Sequence, residues 1–358
     1  MTTIFTHNKT RVAAAVILAS TAGSAMAADY AVYGKAEVQI ANTDTGVMRY
    51  ADEGTQIEAP FSRIGIKGSH KLTESLKAVF KYEVQVKGFE HDDTSEPFSA
   101  RNTYLGLAGD FGEVVVGRND TRFKYSEGKV DGFNETQADI AQLIPGQDRI
   151  GDTITYSSKT YGGASLALTY APKDDSSNDE DGFAATVIYG DRALKSKDYY
   201  LAISHVDALN KLTASRVVAA WKHENLQLAG LFQRSESTDG SKEGNGYALS
   251  ASYAIDKWVP KLQYVKDDSK IRHAEEGKQW TAGVDYVFDK QTTAYLFYTD
   301  LDLELESDNS VAIGLKYKFL RSRYVISKSN KRWLSATSIN EHSHVTAWPI
   351  SNAINLLN

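Results

Sequence analysis

Residues 76–87 read LKAVFKYEVQVK, an unbroken alternation of apolar and polar side chains. Successive side chains of a β-strand point to opposite faces, so this spacing predicts a strand with one apolar face and one charged face. The apolar face includes two aromatic rings, and the polar face carries charges of both signs in mid-strand. The two faces consist of Leu76, Ala78, Phe80, Tyr82, Val84 and Val86, and of Lys77, Lys81, Glu83, Gln85 and Lys87.

The same alternation recurs at residues 30–40, 278–288 and 311–319. A soluble β-sandwich also alternates, with its apolar face turned inward. Segments of about ten residues, with full charges in mid-strand and aromatic residues near their ends, are more typical of a transmembrane β-barrel with a wet interior. We therefore predict an all-β, antiparallel transmembrane barrel rather than a sandwich.

Short turns alternate with longer polar connections, such as residues 41–59, and this rhythm predicts sixteen strands. An even number places both chain ends on one side, and sixteen strands enclose an aqueous channel. The predicted strands lie near 29–41, 60–70, 74–88, 99–108, 112–118, 150–158, 163–171, 182–190, 197–206, 212–223, 225–235, 245–255, 258–267, 278–288, 290–301 and 309–319.

Residues 1–27 are predicted to be a cleaved signal peptide. Lys9 and Arg11 form a basic start, residues 12–19 form a short apolar core, and a small-x-small site places cleavage between Ala27 and Ala28. The apolar run is shorter than the roughly 20 residues of a membrane-spanning helix. A buried N-terminal helix is the alternative, but the cleavage site leads directly into an alternating strand.

Residues 320–358 differ from the rest of the chain, because they are basic and do not alternate. We predict that the barrel, residues 28–319, ends at Phe319. We expect the remainder to be a non-barrel tail, either disordered or the product of readthrough or a frameshift. An added functional segment is the alternative.

Charge and composition exclude several classes of function. The chain has a net charge of −6 and no cysteine; without residues 1–27 and 320–358 the charge is −12. This charge argues against nucleic-acid binding and is compatible with a cation-friendly pore or an acidic outer surface. No nucleotide loop, metal-spaced cysteine set or acyl-transfer elbow occurs, and adjacent Ser204 and His205 point to opposite strand faces. We predict no enzyme activity, no cofactor and no metal.

Residues 119–148 form the longest stretch without alternation, although they include Phe123, Phe133, Ile140 and Leu143. A long insert of this kind is usually functional or disordered, and its apolar residues indicate that it packs somewhere. We predict a constriction loop folded inward against the barrel wall. A large external loop is the alternative.

Several motifs resemble the general-diffusion porins of Gram-negative outer membranes. They are YGK at 33–35, SRIGIKG at 62–68, RNTYLGLAGDFG at 101–112, VGR at 116–118, DRIGDTITY at 148–156 and GLKYKF at 314–319. The resemblance spans residues 28–319 and is most specific at 101–118. It implies a water-filled channel for passive diffusion of small hydrophilic solutes and ions. A substrate-specific channel and an adhesin that uses the barrel as an anchor remain as alternatives; mixed lumen charge and short loops argue against them.

The resemblance also implies a pore constriction and a set of partners. Basic residues of the barrel wall would face carboxylates of the loop. The family further implies a homotrimer in outer-membrane lipids and lipopolysaccharide, exported through the periplasm, with Phe319 as the signal for the barrel assembly machinery. The predicted constriction residues are Lys35, Arg63, Arg101 and Arg149 on the wall and Asp131 and Glu135 on the loop. The two loop residues match the family's sequence motif less closely than the wall residues do.

Overall fold

The computed structural model describes residues 28–59, 61–87, 96–173 and 180–323. Within these ranges almost the whole chain is β-strand, which confirms the predicted fold class. None of the helices there has the length and hydropathy of a membrane-spanning helix. The predicted signal peptide, including Ala27, and residues 324–358 of the predicted tail lie outside the described residues.

Two short helical elements, α1 (Arg122–Tyr125) and a 3₁₀ turn (Ile140–Gln142), lie between the sixth and seventh strands. The strands of the described chain are β1 (Ala28–Thr43), β2 (Gly54–Glu58), β3 (Arg63–Lys71), β4 (Leu76–Val86), β5 (Phe98–Gly109), β6 (Gly112–Asp120), β7 (Arg149–Ser157), β8 (Ala164–Ala171), β9 (Gly182–Gly190), β10 (Tyr199–Leu209), β11 (Leu212–His223), β12 (Leu226–Ser237), β13 (Glu243–Tyr253), β14 (Trp258–Asp267), β15 (Gly277–Val287), β16 (Thr292–Leu303) and β17 (Ser307–Arg323).

The strands pair antiparallel with their neighbours in sequence, and β17 returns to β1 to close the barrel. Both β2 and β3 pair with β1, so they share one position and the described strands form the predicted sixteen-stranded barrel. Ser62 bridges the break: its hydroxyl accepts a hydrogen bond from the Glu37 N–H at 2.9 Å and donates to the Glu37 carbonyl at 3.0 Å. β2 is the difference from the sequence analysis, which assigned residues 41–59 to a loop.

The last strand extends beyond the predicted end of the barrel. β17 continues to Arg323, and Leu320 pairs with Tyr33 of β1. Residues 30–33 offer backbone hydrogen-bonding groups on this side, and residues 320–323 satisfy them, so the boundary at Phe319 is four residues too early. The Phe319 ring lies over Gly34, where an added Cβ would approach a ring carbon to 2.2 Å.

The two faces of the strands are as the alternation predicts. On β1, Lys35, Glu37 and Gln39 are buried inside the barrel, whereas Ile40 on the opposite face is 51% exposed. The outward face forms an apolar band around the barrel, as expected where a closed sheet meets lipid. Exposed members of this band include Leu105, Val116, Ile203, Leu249, Leu262, Trp280 and Ile313.

Residues 121–148, which we call the inner loop, pack inside the barrel. Their apolar side chains join three buried clusters with small and apolar side chains of the wall, of which one is the largest. The wall residues face inward, because their strand neighbours Ile203, Val217 and Leu249 are exposed on the outer face. The largest cluster contains Val130, Ile140, Leu143 and Ile144 from the inner loop and Ala202, Val218, Leu231, Ala248, Val265 and Leu301 from the wall.

Candidate functional site

Glu135 occupies the tip of the inner loop, at a left-handed backbone position with φ of +66°. Such a conformation costs on the order of 1 kcal/mol for a residue other than glycine. The Glu135 N–H donates to the Asp139 carboxylate at 2.9 Å, and the same carboxylate accepts from the Ala141 N–H at 2.8 Å, where the 3₁₀ turn begins. Asp139 therefore holds the tip in the conformation that presents the Glu135 side chain.

Three cations of the wall surround the Glu135 carboxylate. Lys35 Nζ lies 2.5 Å from Oε2, Arg101 Nη2 lies 3.2 Å from Oε1, and Arg63 forms a third ion pair. Burial alone would raise the pKa of Glu135, but these positive charges outweigh it and hold the pKa well below the usual range. The structure thus brings together four of the six predicted constriction residues, and Glu135 is ionised at neutral pH.

A second carboxylate, Glu83 of β4, extends this network and was not among the predicted residues. It accepts from Arg101 Nε and from the Tyr33 hydroxyl, each at 2.8 Å, and lies 3.4 Å from Lys81 Nζ. The sequence did contain a signal, because Glu83 lies in mid-strand on the charged face of residues 76–87. Arg101 is therefore held between two carboxylates, one on the wall and one on the inner loop.

Arg149 lies on the same side of the barrel interior but has different partners. Its Nη2 is 2.9 Å from an oxygen of Asp120, and its Nε donates to the Asn102 side chain at 2.8 Å. These contacts fix Arg149 to the ends of β5 and β6 next to the other basic residues. The structure places it in their cavity, although it does not contact Glu135.

Asp131 is the predicted residue that does not join the basic cluster. Its carboxylate accepts from the Phe133 N–H at 3.0 Å and from the Asn134 side chain at 3.1 Å. The intervening Gly132 is tied to β14, since its N–H donates to Gln263 at 2.8 Å and its carbonyl accepts from Lys261 at 2.9 Å. The turn at Gly132 therefore directs Asp131 into a different cavity from Glu135.

Arg63, Arg101 and Arg149 line a cavity of about 530 Å³, which we call the neck cavity; Lys35 is buried against Glu135, outside its lining. Nine Lys or Arg and six Asp or Glu of the described chain line it, so its formal charge is +3 although the chain as a whole is negative. The charged lining residues are Arg49, Arg63, Lys81, Arg101, Arg118, Lys124, Arg149, Arg192 and Arg272, with Glu83, Asp120, Glu127, Glu135, Asp139 and Asp148.

Wall side chains fix the backbone of the inner loop at several points. Gln263 donates to the Ala138 carbonyl at 2.7 Å, and Gln279 donates to the Gln137 carbonyl at 3.0 Å. These bonds satisfy buried carbonyls that have no strand partner. They also determine how far the loop reaches across the barrel.

Arg216 of β11 joins the two legs of the inner loop. Its side chain is buried, and its Nη1 and Nη2 donate to the carbonyls of Phe123 at 3.2 Å and Pro145 at 3.3 Å. Its guanidinium also lies 4.2 Å above the Phe123 ring. Because these residues stand near the two ends of the loop, Arg216 ties both ends to the wall.

The described residues contain no group of three or more His, Asp or Glu side chains positioned to bind a metal ion. Ser204 is buried on the inner face of β10, and His205 is exposed on its outer face, as the alternation predicts. The neck cavity thus presents charged side chains on a fixed wall and a fixed loop.

Comparisons with known proteins agree with the fold. The major outer membrane protein P.IB of Neisseria sicca is 26% identical, over 85% of this chain and 98% of its own. The corresponding P.IA protein of Neisseria meningitidis serogroup C is 24% identical, over 74% of this chain and 84% of its own.

Solved structures share the same barrel. An anion-selective porin from Comamonas acidovorans has a TM-score of 0.60 at 20% identity and covers 82% of this chain and 100% of its own. Salmonella typhi OmpF, solved in complex with daunomycin, has a TM-score of 0.67 at 18% identity and covers 81% and 97%. A family model for Gram-negative porins matches residues 13–304. The chain therefore belongs to the Gram-negative porin family and forms a water-filled outer-membrane channel for passive diffusion of small hydrophilic solutes and ions.

Proposed function

We propose that the neck cavity is the constriction of this channel and that it favours anions over cations. The observation that carries the proposal is the excess of three basic residues in the lining of the cavity between the wall and the inner loop. A narrow passage lined by one excess charge concentrates ions of opposite sign. Arg63, Arg101 and Arg149 supply the field on the wall side, Lys35 adds to it from behind Glu135, and Glu135 reduces it locally.

The negative charge of the chain does not contradict an anion-favouring neck. Residues 28–319 carry −12, whereas the lining of the neck cavity carries +3, so the acidic surplus lies elsewhere. Of the two expectations from composition, an acidic outer surface fits this distribution and a cation-friendly pore does not. The Comamonas acidovorans porin of the same fold is described as anion-selective, which is consistent with this proposal.

Salt substitution in single-channel recordings tests the proposal. Replacement of chloride by bulky acetate should lower the conductance more than replacement of potassium by strongly hydrated lithium. The opposite order would show that cations carry most of the current.

We also propose that the protein is a homotrimer, because a ring with three-fold symmetry closes without free interfaces. The glycine-containing outer walls at 28–40 and 101–118 are suitable for close packing between barrels. Unheated gel migration and native mass in mild detergent should show three chains, and a stable monomer as the sole species would contradict this.

For the chain ends, we propose a signal peptide cleaved between Ala27 and Ala28 and a tail that is dispensable. We propose that the barrel assembly machinery recognises Phe319 and that lipopolysaccharide surrounds the folded barrel. We propose no catalytic activity. Because β17 pairs with β1 as far as Arg323, truncation after Arg323 is the sharper test than truncation after Phe319. Truncation after Arg323 should leave the yield of heat-resistant oligomer unchanged, and a clear loss would contradict a dispensable tail.

A further inference from the structure

A second cavity, of about 410 Å³, is lined by the inner loop, by the turn at 191–198 and by inner-face residues of the wall. We call it the inner cavity. In barrels of this kind short turns face the periplasm, and this end carries the turns at 191–198, 224–225 and 288–291. The polar residues that line it are Lys129, Asp131, Lys195, Lys222, Gln227, Ser250, Ser252, Lys261 and Asp285.

The lysines of the inner cavity differ from the neck cations in their partners. Lys261 is paired with Asp285 at 2.8 Å. Within the described part of the chain, the side chains of Lys129, Lys195 and Lys222 make no hydrogen bond or ion pair, whereas Lys35, Arg63, Arg101 and Arg149 each contact a carboxylate. The inner cavity therefore holds three lysines without a direct ion-pair partner in the described chain, although the Asp191 carboxylate acts on Lys129 through space.

The turn that carries Lys195 is held in a fixed conformation. The Asp191 carboxylate accepts hydrogen bonds from the backbone N–H groups of Ala193 at 2.8 Å, Lys195 at 2.9 Å and Ser196 at 2.6 Å. Leu194 is buried in the cluster that also contains residues of the inner loop. Lys195 is thus presented to the cavity from an ordered backbone rather than from a free loop.

Four lysines and two aspartates line this cavity, so the formal charge of its lining is +2. Burial lowers the pKa of Lys129, and the nearby charges of Arg192 and Lys195 lower it further, while the Asp191 carboxylate opposes the shift. Enclosure also raises the pKa of Asp131, which weakens one of the carboxylates that could offset the lysines. An incoming anion would relieve repulsion among the lysines, and the hydroxyls of Ser250 and Ser252 add hydrogen-bond donors.

We propose that the inner cavity binds a small multivalent oxyanion of the phosphate class, held by Lys129, Lys195 and Lys222, as a solute site separate from the neck. This inference deepens the anion preference proposed above and rests on it. A divalent anion gains from all three lysines at once, while chloride meets the same field with half the charge. Phosphate should therefore occupy the site and slow chloride in transit.

The test measures chloride current through the trimer at low salt while inorganic phosphate is added. Wild type should show saturable inhibition. We expect Lys195→Gln and Lys222→Gln to raise the half-inhibiting phosphate concentration about threefold each, and about tenfold together, as separate exposed charges add. Lys290→Gln, in a turn at the same barrel end but outside the cavity, is the matched control and should behave as wild type.

The zero-current potential in a potassium chloride gradient, recorded on the same variants, separates the two proposals. Suppose that wild type prefers anions. Phosphate inhibition that is unaltered in the double variant, or equally altered in Lys290→Gln, would then overturn the inner site but not the proposed function. Inhibition weakened in the double variant with the anion preference largely kept supports the inner site. A wild type that prefers cations would contradict the proposed function itself.

Discussion

Glu135 at the tip of the inner loop lies 2.5 Å from Lys35 on β1, although 100 residues separate them in sequence. This contact joins the end of the loop to the first strand of the barrel. Through Glu135 the basic cluster of the wall loses part of its charge. The electrostatics of the neck therefore depend on where the loop tip rests.

Removal of this carboxylate should strengthen the preference for anions. Glu135→Gln leaves Lys35, Arg63 and Arg101 without a loop partner, and we expect the chloride-to-potassium permeability ratio to rise on the order of twofold at low salt. Because the pKa of Glu135 is held well below the usual range, the rise should be the same from pH 6 to pH 8. Asp131→Asn is the matched control, because that side chain faces the inner cavity, and an equal rise there would contradict the geometry.

Removal of a neck arginine should act in the opposite direction. Arg63→Ala and Arg101→Ala each take one positive charge from the neck cavity, so permeation should shift toward cations. The Debye length is about 30 Å at 0.01 M salt and about 3 Å at 1 M. A field effect should therefore be large at low salt and small at high salt, whereas a shift that is equal at both would indicate a change of pore size.

Glu127 predicts a pH dependence of selectivity near neutrality. Burial raises its pKa to about 7, although Lys124 opposes the shift. Below that pH the side chain is neutral and the neck is more positive, so anion preference should be stronger at pH 6 than at pH 8. Glu127→Gln should remove this step and keep the pH 6 value at both pH values.

The same ionisation affects stability with a definite sign. A carboxyl group whose folded-state pKa is raised favours the folded state less as pH rises. The loss begins near the ordinary value of 4.5 and is complete above about 7. Wild type should therefore lose more thermal stability than Glu127→Gln between pH 5 and pH 8, and equal losses would contradict the assignment.

Arg216 should control how firmly the inner loop is held. Arg216→Met keeps side-chain length but removes the bonds to the carbonyls of Phe123 and Pro145. The barrel should still fold, because its strand pairing is untouched, while single channels should show noisier and more variable open conductance. Arg234→Met is the control, because Arg234 is an exposed arginine on the adjoining strand and pairs with Glu243 at 3.1 Å. Identical current noise in both variants would show that Arg216 does not restrain the loop.

The barrel was predictable because a strand with one apolar and one polar face has apolar and polar residues at alternate positions of the sequence. Lys35, Glu37 and Gln39 are inside and Ile40 is outside, as that alternation requires. The sequence predicted less about β2 and the end of β17, since both depend on which backbone groups of β1 remain unpaired. Such groups are a property of the assembled sheet, and no local pattern reports them.

The site was predictable on the wall and less so on the loop. The resemblance to general-diffusion porins indicated Lys35, Arg63 and Arg101, and the alternation of their strands agrees with an inner-face position. Asp131 and Glu135 are only four residues apart, but the bonds from Gly132 to Gln263 and Lys261 turn them into different cavities. Those partners are more than 120 residues away in sequence, so only the folded wall determines which carboxylate meets the arginines.

The zero-current potential of the wild-type trimer across a tenfold gradient of potassium chloride, measured first at low and then at high total salt, tests the central claim most directly. A neck cavity with an excess of positive charge predicts a potential with the sign expected when chloride is more permeant than potassium. This potential should be large at low salt and reduced by screening at high salt. A potential of the sign set by potassium at low salt would contradict the account.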